Sequence, residues 1–408
     1  MSSRPSGFRL VTQLVLASCL CLPAAALIRR ANAGPPEADH GQSAEAASAS
    51  RRAELWQKLA PAFEPPAEFK GKLDDRRSPL IFDDGSIAST PADWHRRRAE
   101  ILARWHRQMG EWPPVITEPR VEVLGQSQQE NFTRQRVRFD LAPGHPVTAW
   151  LLLPNSPGPH PGVVVVYYDP DTGLGLRNQQ RDFALQLARR GFATLSVGHD
   201  YSLYYPSREQ ATIQPLSALA YGAANAYHVL ASRPGVAAER IGITGHSYGG
   251  KWAMFASCLY DCFACAAWSD GGIVFDESRG GINYWEPWYL GYDGPEFRQR
   301  GLPTEENPAR GLYPKLRAAG HDLHELHALM APRPFLVSGG AEDRPARWLS
   351  LNHAVAVNRL LGQENRVAMT NRETHGPTPE SNAQLYRFFE YFLKHSPAAT
   401  APENSGNR

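Results

Sequence analysis

The stretch Arg240-Ile-Gly-Ile-Thr-Gly-His-Ser-Tyr-Gly-Gly-Lys-Trp-Ala-Met254 organises the residues on either side of it. It opens β-rich, with Ile241, Ile243 and Thr244, and continues as a helix-compatible run from Lys251 to Ala256. Between the two, Gly245-His246-Ser247-Tyr248-Gly249 reads as a nucleophile elbow. This is a strand-to-helix turn so sharp that its central residue is strained and only glycine fits two places to either side. Such a turn lifts Ser247 Oγ clear of a sheet. The N-terminus of the next helix then points its N–H groups at an oxygen that becomes negative during acyl transfer. The plain alternative is a glycine-rich turn with an idle serine, and the strand before it and helix after it argue against that.

Outward from the elbow, strands and helices alternate. Val163-Val164-Val165-Val166-Tyr167-Tyr168 is a continuous apolar run, the pattern of a strand buried on both faces of a parallel sheet. Asn178 to Arg190 predicts a helix closed by Gly191, Phe192 to Val197 a strand, and Pro215 to Ser232 a helix. Beyond the elbow, strands are expected at Phe263 to Trp268, Phe335 to Ser338 and Arg366 to Thr370, with helices from Arg347 to Leu361 and Pro379 to His395. Three strands precede all of this: Val121 to Leu124, Phe132 to Leu141 and Val147 to Leu153. In the middle one, Val137, Phe139 and Leu141 alternate with Arg136, Arg138 and Asp140. Antiparallel leading strands followed by βαβα order predict the α/β class, with one open, mostly parallel sheet over residues 120–396 and helices on both faces.

Residues 1–33 carry the parts of an export signal: Arg4 and Arg9, the apolar run from Leu10 to Ile28, and Ala31-Asn32-Ala33 as a cleavage site. Leu16-Ala17-Ser18-Cys19 also fits a lipobox, which would make Cys19 a lipidated N-terminus anchored to a membrane. Either reading exports the chain, to the periplasm or beyond the cell. No other segment approaches the ~18 uninterrupted apolar residues of a membrane span. Residues 34–53 read as a disordered spacer, 54–119 as a helical extension and 397–408 as a disordered tail. Within the extension, Trp94, Ile101, Leu102, Trp105 and Met109 form an apolar helix face that must lie on the main domain. Arg96, Arg97, Arg98, Arg104 and Arg107 are its expected solvent face. The chain holds 43 basic and 41 acidic residues; without Arg4, Arg9, Arg29 and Arg30 the balance is 39 to 41, net −2. No nucleic-acid partner is implied by that charge.

A serine hydroxyl needs a base to take its proton, and the base needs a carboxylate to fix its tautomer. Both follow in chain order. His375, in Glu373-Thr374-His375-Gly376, lies on the loop directly after the last strand. Asp343, in Gly339-Gly340-Ala341-Glu342-Asp343, lies on the loop after Phe335 to Ser338 and is the expected acid. Its rival is Asp270, in Trp268-Ser269-Asp270-Gly271-Gly272, one strand earlier. The oxyanion donors are expected from the N–H groups of Tyr248 and Asp169, since Pro170 has none, and a Tyr167 or Tyr168 hydroxyl is a third donor unless it is core. From Asp276 to Gly320 the alternation breaks into an aromatic-rich insertion that leaves the C-terminal end of a strand, where ligands bind in such sheets. Trp285, Glu286 and Trp288 are its candidate substrate contacts, tryptophan faces stacking well on sugar rings. The alternative is that these tryptophans are the insertion's own small core. Cys258, Cys262 and Cys265 read as buried thiols, and His321, His324 and His327 as a wet helix face, in preference to metal ligands. No cofactor is called for.

Over about residues 120–396 the chain resembles the α/β-hydrolase superfamily. Within it, Ser247-Tyr248-Gly249-Gly250-Lys251 is similar to the Ser-Arg-x-Gly-Lys elbow of glucuronoyl esterases. The run His324-Glu325-Leu326-His327-Ala328-Leu329-Met330-Ala331-Pro332-Arg333-Pro334 is similar to the segment before those enzymes' next strand. The resemblance implies that Lys251 contacts sugar hydroxyls, against the alternative of a surface lysine on the elbow helix. Where that family carries an arginine beside the nucleophile, which helps hold the oxyanion, this chain has Tyr248. Acetyl xylan esterases and dienelactone hydrolases fit the looser pattern. The expected function is an exported serine esterase acting on carbohydrate esters, of acetyl xylan or glucuronoyl type, through a Ser-His-Asp acyl-enzyme. A prolyl-oligopeptidase-type peptidase is the rival enzyme, but roughly 85 residues ahead of the β region are too few for that family's propeller. A binding module on a retired hydrolase fold is the rival without activity, and no triad residue is missing here.

Overall fold

The computed structural model describes residues 39–199, 212–294 and 296–395. The expected leader at 1–33, with Cys19, and the expected tail at 397–408 lie outside the described residues. The chain divides into two compact units, Met1–Glu45 and Ala46–Arg408, and the sheet and the site belong to the second. The expected spacer is helical from its sixth residue on, because α1 spans Asp39–Leu59. Ala46, Ala47, Ala49 and Ala53 supply the strongest helix propensity, and Leu55 and Leu59 bury its end.

Three antiparallel strands come first: β1 (Glu122–Gln128), β2 (Phe132–Ala142) and β3 (His145–Pro154). Then come β4 (His160–Val166), β5 (Ala193–Val197), β6 (Val236–His246), β7 (Cys265–Ser269), β8 (Phe335–Gly339) and β9 (Val367–Asn371), parallel to one another. The sheet order is β1-β2-β3-β5-β4-β6-β7-β8-β9. β4 lies between β5 and β6, so the chain leaves it to one side and later returns to the other. At such a reversal the loops beyond two neighbouring strand ends part and open a crevice. The loops concerned are the one after β4 and the elbow after β6.

β4 shows why the sheet is covered on both faces. Val164 and Val166 enter one core, whereas Val163, Val165 and Tyr167 enter the other. The first core is closed by α2 (Pro91–Met109), α4 (Pro215–Ala231), α5 (Tyr248–Leu259), α7 (His324–Leu329) and α8 (Trp348–Leu360). The second is closed by α3 (Phe183–Arg189) and α9 (Pro379–Phe389).

α2 starts at a capping box, in which the Thr90 hydroxyl accepts from Asp93 N and the Asp93 carboxylate accepts from Thr90 N. Trp94, Ile101, Trp105 and Met109 are buried against the main domain, as its apolar spacing requires. Its basic face is not all wet, however. Arg97 donates to Pro79 O and Asp83, and Arg104 to Asp83 and Glu325, each guanidinium buried. The insertion after β7 contains α6 (Leu312–Ala318) and buries Tyr284, Trp285, Tyr289, Leu290, Tyr313 and Leu316 in the first core. Among the described residues no helix is long and apolar enough to cross a membrane.

Candidate active site

The elbow is built by close approach. A Cβ on Gly249 would lie 2.1 Å from Val166 O, and one on Gly245 would lie 2.5 Å from the Gly249 carbonyl, so both positions exclude any side chain. Neither glycine has a positive φ; that strain sits on Ser247, at φ 59° and ψ −113°. A non-glycine residue there costs about 1–3 kcal/mol, which the surrounding contacts must hold. Ser247 N donates to Ser269 O at 2.7 Å, tying the turn to the end of β7.

His375 joins the two halves of the site. Its Nε2 lies 2.8 Å from Ser247 Oγ and its Nδ1 lies 2.7 Å from Asp270 Oδ2. A carboxylate only accepts, so Nδ1 carries the proton and Nε2 is left to accept from the serine. The acid on the histidine is therefore Asp270, not the expected Asp343. Asp270 follows β7 directly, at φ 47°, with its side chain fully buried. Its Oδ1 accepts from the Asp343 and Glu342 N–H groups at 2.9 and 3.1 Å. A Cβ on Gly340 would lie 2.8 Å from Asp270 Oδ2, so the bare backbone lets the loop after β8 close on this carboxylate. Asp343 is also buried, but its carboxylate accepts from Gly272 N and Ile273 N at 2.9 and 2.7 Å. Burial, with the neighbouring Asp270 charge adding to it, pushes the Asp343 pKa up to about 6.

The loop carrying His375 is clamped by Arg372, which donates to the carbonyls of His375, Gly376, Ser338 and Gly339 at 2.8, 2.7, 2.8 and 3.0 Å. No spacing in the sequence marks Arg372 apart from other loop arginines. His246, one residue before the nucleophile, packs its ring 4.8 Å from that of His375, and its Nδ1 lies 3.1 Å from Ser269 Oγ. Burial, with the two histidine charges opposing each other, keeps His246 neutral, its pKa well below the usual imidazole range.

No protein-family model matches the chain. The 4-O-methyl-glucuronoyl methylesterase 1 of Wolfiporia cocos (strain MD-104) is 25% identical over 357 residues, covering 80% of this chain and 83% of that protein. Among solved structures, a glucuronoyl esterase from Solibacter usitatus is similar at TM-score 0.61 and 19% identity, over 79% of this chain and 99% of its own. A carbohydrate esterase family 15 glucuronoyl esterase from Caldicellulosiruptor kristjansonii gives TM-score 0.56 at 21% identity, over 82% and 94%. This chain has the α/β-hydrolase fold.

On this α/β-hydrolase fold, Tyr248 opens α5 directly after Ser247, and Asp169 lies on the loop after β4. The Asp169 carboxylate accepts from Thr172 N and Thr172 Oγ1, both at 3.0 Å, which shapes that loop. Tyr167 OH donates to Arg181 O and is core. The Tyr248 hydroxyl meets His199 Nε2 at 2.6 Å.

Lys251 is neither on the surface nor open to a sugar. Its ammonium is buried and donates to Gly271 O at 2.5 Å and Gly281 O at 3.3 Å, 4.9 and 5.3 Å from the Tyr284 and Tyr289 ring centres. Burial pulls its pKa down to about 8 against the opposing pull of Asp343, Glu342 and Asp270. It braces the insertion to the loop behind Asp270. Two of the insertion's three expected contacts are likewise internal. Trp285 is buried and donates to Gly301 O at 2.8 Å. Glu286 is buried too, accepting from Gly301 N at 3.0 Å, with Arg298 3.4 Å away. Trp288 is half-buried, with the Arg300 guanidinium 5.7 Å from its ring centre. The insertion thus spends most of its aromatic surface on its own packing.

The histidine stripe is not wet. His324 meets Arg77 O, His327 packs on Trp268 and Phe335 with both ring nitrogens buried, and His321 lies against Glu325, so the three have separate neighbours. Cys258 and Cys265 are buried, but Cys262 is exposed, because it sits in the turn that leaves α5.

Proposed function

We propose that this chain is a serine esterase that cleaves carboxylic esters of carbohydrates, outside the cytoplasm. The observation that carries it is the hydrogen-bonded chain Ser247–His375–Asp270 on an elbow. In this reading His375 Nε2 takes the Ser247 proton as Oγ attacks the ester carbonyl carbon. The carbonyl oxygen becomes an oxyanion, held by the N–H groups of Tyr248 and Asp169. The intermediate collapses, the C–O bond breaks, and His375 returns the proton to the leaving alcohol. Water then attacks the acyl-enzyme by the same route and releases the carboxylic acid. Asp270 fixes the tautomer and stabilises the imidazolium that forms at each step. The related proteins, named as glucuronoyl esterases, support a sugar-acid ester as the substrate. Tyr248 in place of an arginine leaves room for a wider range that includes acetylated xylan. Export rests on the leader read at residues 1–33, with anchoring at Cys19 as its variant.

Labelling with a fluorophosphonate probe, beside a panel of acetyl, feruloyl and methyl-glucuronoyl esters, tests the reading. Labelling of the wild type but not of Ser247→Ala, with turnover of at least one saccharide ester, is expected. No labelling of the wild type would return the chain to a binding module.

A further inference from the structure

Lys251 stands one turn past Ser247 on α5, its ammonium buried and both of its acceptors backbone carbonyls, Gly271 O at 2.5 Å and Gly281 O at 3.3 Å. Gly271 O belongs to the peptide whose other edge is Gly272 N, and Gly272 N donates to Asp343 Oδ2 at 2.9 Å. One peptide unit is therefore bonded to an ammonium on one edge and to a carboxylate on the other. The next N–H, of Ile273, gives Asp343 its second bond at 2.7 Å. Asp343 N in turn donates to Asp270 Oδ1 at 2.9 Å, and Asp270 Oδ2 meets His375 Nδ1 at 2.7 Å. The bonds that start at Lys251 thus end on His375, and every link as far as Asp270 is buried.

That peptide depends on its partners. Asp270 and Gly272 are both left-handed, at φ 47° and 75°, so the turn around Gly271 is tight. A Cβ on Gly271 would lie 2.9 Å from Lys251 N, so the bare backbone lets α5 close on the loop. A glycine peptide can face either way at small cost, and the bonds on its two edges choose the direction. Charge acts in the same sense. Asp270 and Asp343 are buried carboxylates on neighbouring loops, and buried charge is costly unless an opposite charge is close. Lys251 lies near enough to both, and to Glu342, for their charges to oppose the loss of its proton on burial. Arg372 is a second cation that these two aspartates feel. The Tyr284 and Tyr289 rings that flank the ammonium stay neutral, burial pushing both phenols well up.

We propose that Lys251 is a positioning residue for the acid of the triad: through the Gly271-Gly272 peptide and Asp343, its charged ammonium keeps Asp270 in line with His375, and it touches no substrate. The inference rests on the serine-esterase reading above. The lysine that meets sugar hydroxyls in the resembled family then serves the reaction here from behind the acid.

The test takes pH profiles and separates kcat from KM, on p-nitrophenyl acetate and on a methyl-glucuronoyl or acetyl saccharide ester. Lys251, its pKa pulled down to about 8, is charged below that pH and loses its charge above it. Wild-type kcat should therefore fall on either ester as pH rises through about 8. Lys251→Met should lose about ten- to hundredfold in kcat on both, the size of a hydrogen bond to a charged group, with KM within about threefold and no further fall across that range. Asp343→Asn removes a negative charge that raises the lysine's pKa, so its alkaline fall should begin at lower pH. That second variant decides the matter if Lys251→Met does not fold. A wild-type kcat that holds to about pH 10, the range of an ordinary lysine, would overturn the role. So would an Asp343→Asn profile that falls where the wild type does. A Lys251→Met loss confined to the saccharide ester and carried by KM would make Lys251 a sugar contact instead. A Lys251→Met profile that still falls near pH 8 would make it a prop of the fold. Each of these outcomes leaves the esterase reading standing. A wild type that neither takes the fluorophosphonate label nor turns over either ester would remove that reading and the positioning role with it.

Discussion

Asp343 gives its backbone N–H to Asp270 Oδ1 at 2.9 Å, while its own carboxylate turns the other way, to Gly272 N and Ile273 N. The two aspartates stand on the loops after neighbouring strands, and the backbone around each serves the carboxylate of the other. Asp270 is left with one oxygen for His375. Asp343 could reach the histidine only by giving up two hydrogen bonds to its buried carboxylate, the stronger kind of hydrogen bond.

This arrangement ranks two substitutions. Asp270→Asn should cut kcat by about 10³–10⁴-fold, because an amide presents its N–H where His375 needs an acceptor. Asp343→Asn should leave kcat within about tenfold but lower the melting temperature, since one buried N–H loses its acceptor at a cost of about 1–3 kcal/mol. Steady-state kinetics beside thermal unfolding reads both, and the reverse ranking would return the acid to Asp343.

Ser247→Ala should lower ester hydrolysis by roughly 10³-fold or more with the fold intact, the oxyanion donors still giving some rate over water. A variant that keeps more than about a tenth of wild-type activity is not the loss of a nucleophile.

The two insertion tryptophans should part company. Trp285→Ala removes a buried indole and its bond to Gly301 O, so a loss of about 3–5 kcal/mol in stability is expected, with saccharide and aryl esters failing together. Trp288→Ala, half-buried over Arg300, should cost about 1 kcal/mol or less. Chemical denaturation of both variants measures this, and a Trp285→Ala protein as stable as the wild type would remove Trp285 from the core.

Acid should unfold the protein partly through its histidines. Burial holds His327, His324 and His246 neutral, with folded pKa values below the usual imidazole range. Unfolded, each takes a proton near pH 6.5, where the folded chain still refuses it, so stability is whole above about pH 6.5 and is lost as pH falls from there toward the folded pKa. Across that window each such histidine costs about 1.4 kcal/mol per pH unit. His327→Leu should therefore flatten the fall in stability between about pH 6.5 and 5. A mutant profile that runs parallel to the wild type in that range would show that His327 is protonated in the fold.

The order of elements, the mixed sheet, Ser247 and the histidine that meets it could all be read from residues alone. Each rests on local chemistry. An apolar run such as Val163 to Val166 fits a strand covered on both faces, glycines flanking a serine fit a turn too tight for side chains, and His375 follows the last strand directly. Alternation of polar and apolar residues likewise placed the buried face of α2.

What lies across the chain from a residue was not legible in the same way. Asp270 and Asp343 both follow strands of one sheet, and only the packing of their loops turned one toward His375 and the other toward Gly272 and Ile273. Periodicity tells which face of a helix is apolar but not what covers its polar face, which is why Arg97, Arg104, His324 and His327 are buried where a wet surface was expected. The aromatic residues of the insertion announced stacking surface, and the fold spent Trp285 on its core and left Trp288 half-buried beside Arg300. Local sequence sets conformations over a few residues. Hydrogen-bond partners, burial and charge between residues about a hundred positions apart, such as Asp270 and His375, exist only once the chain has closed on itself.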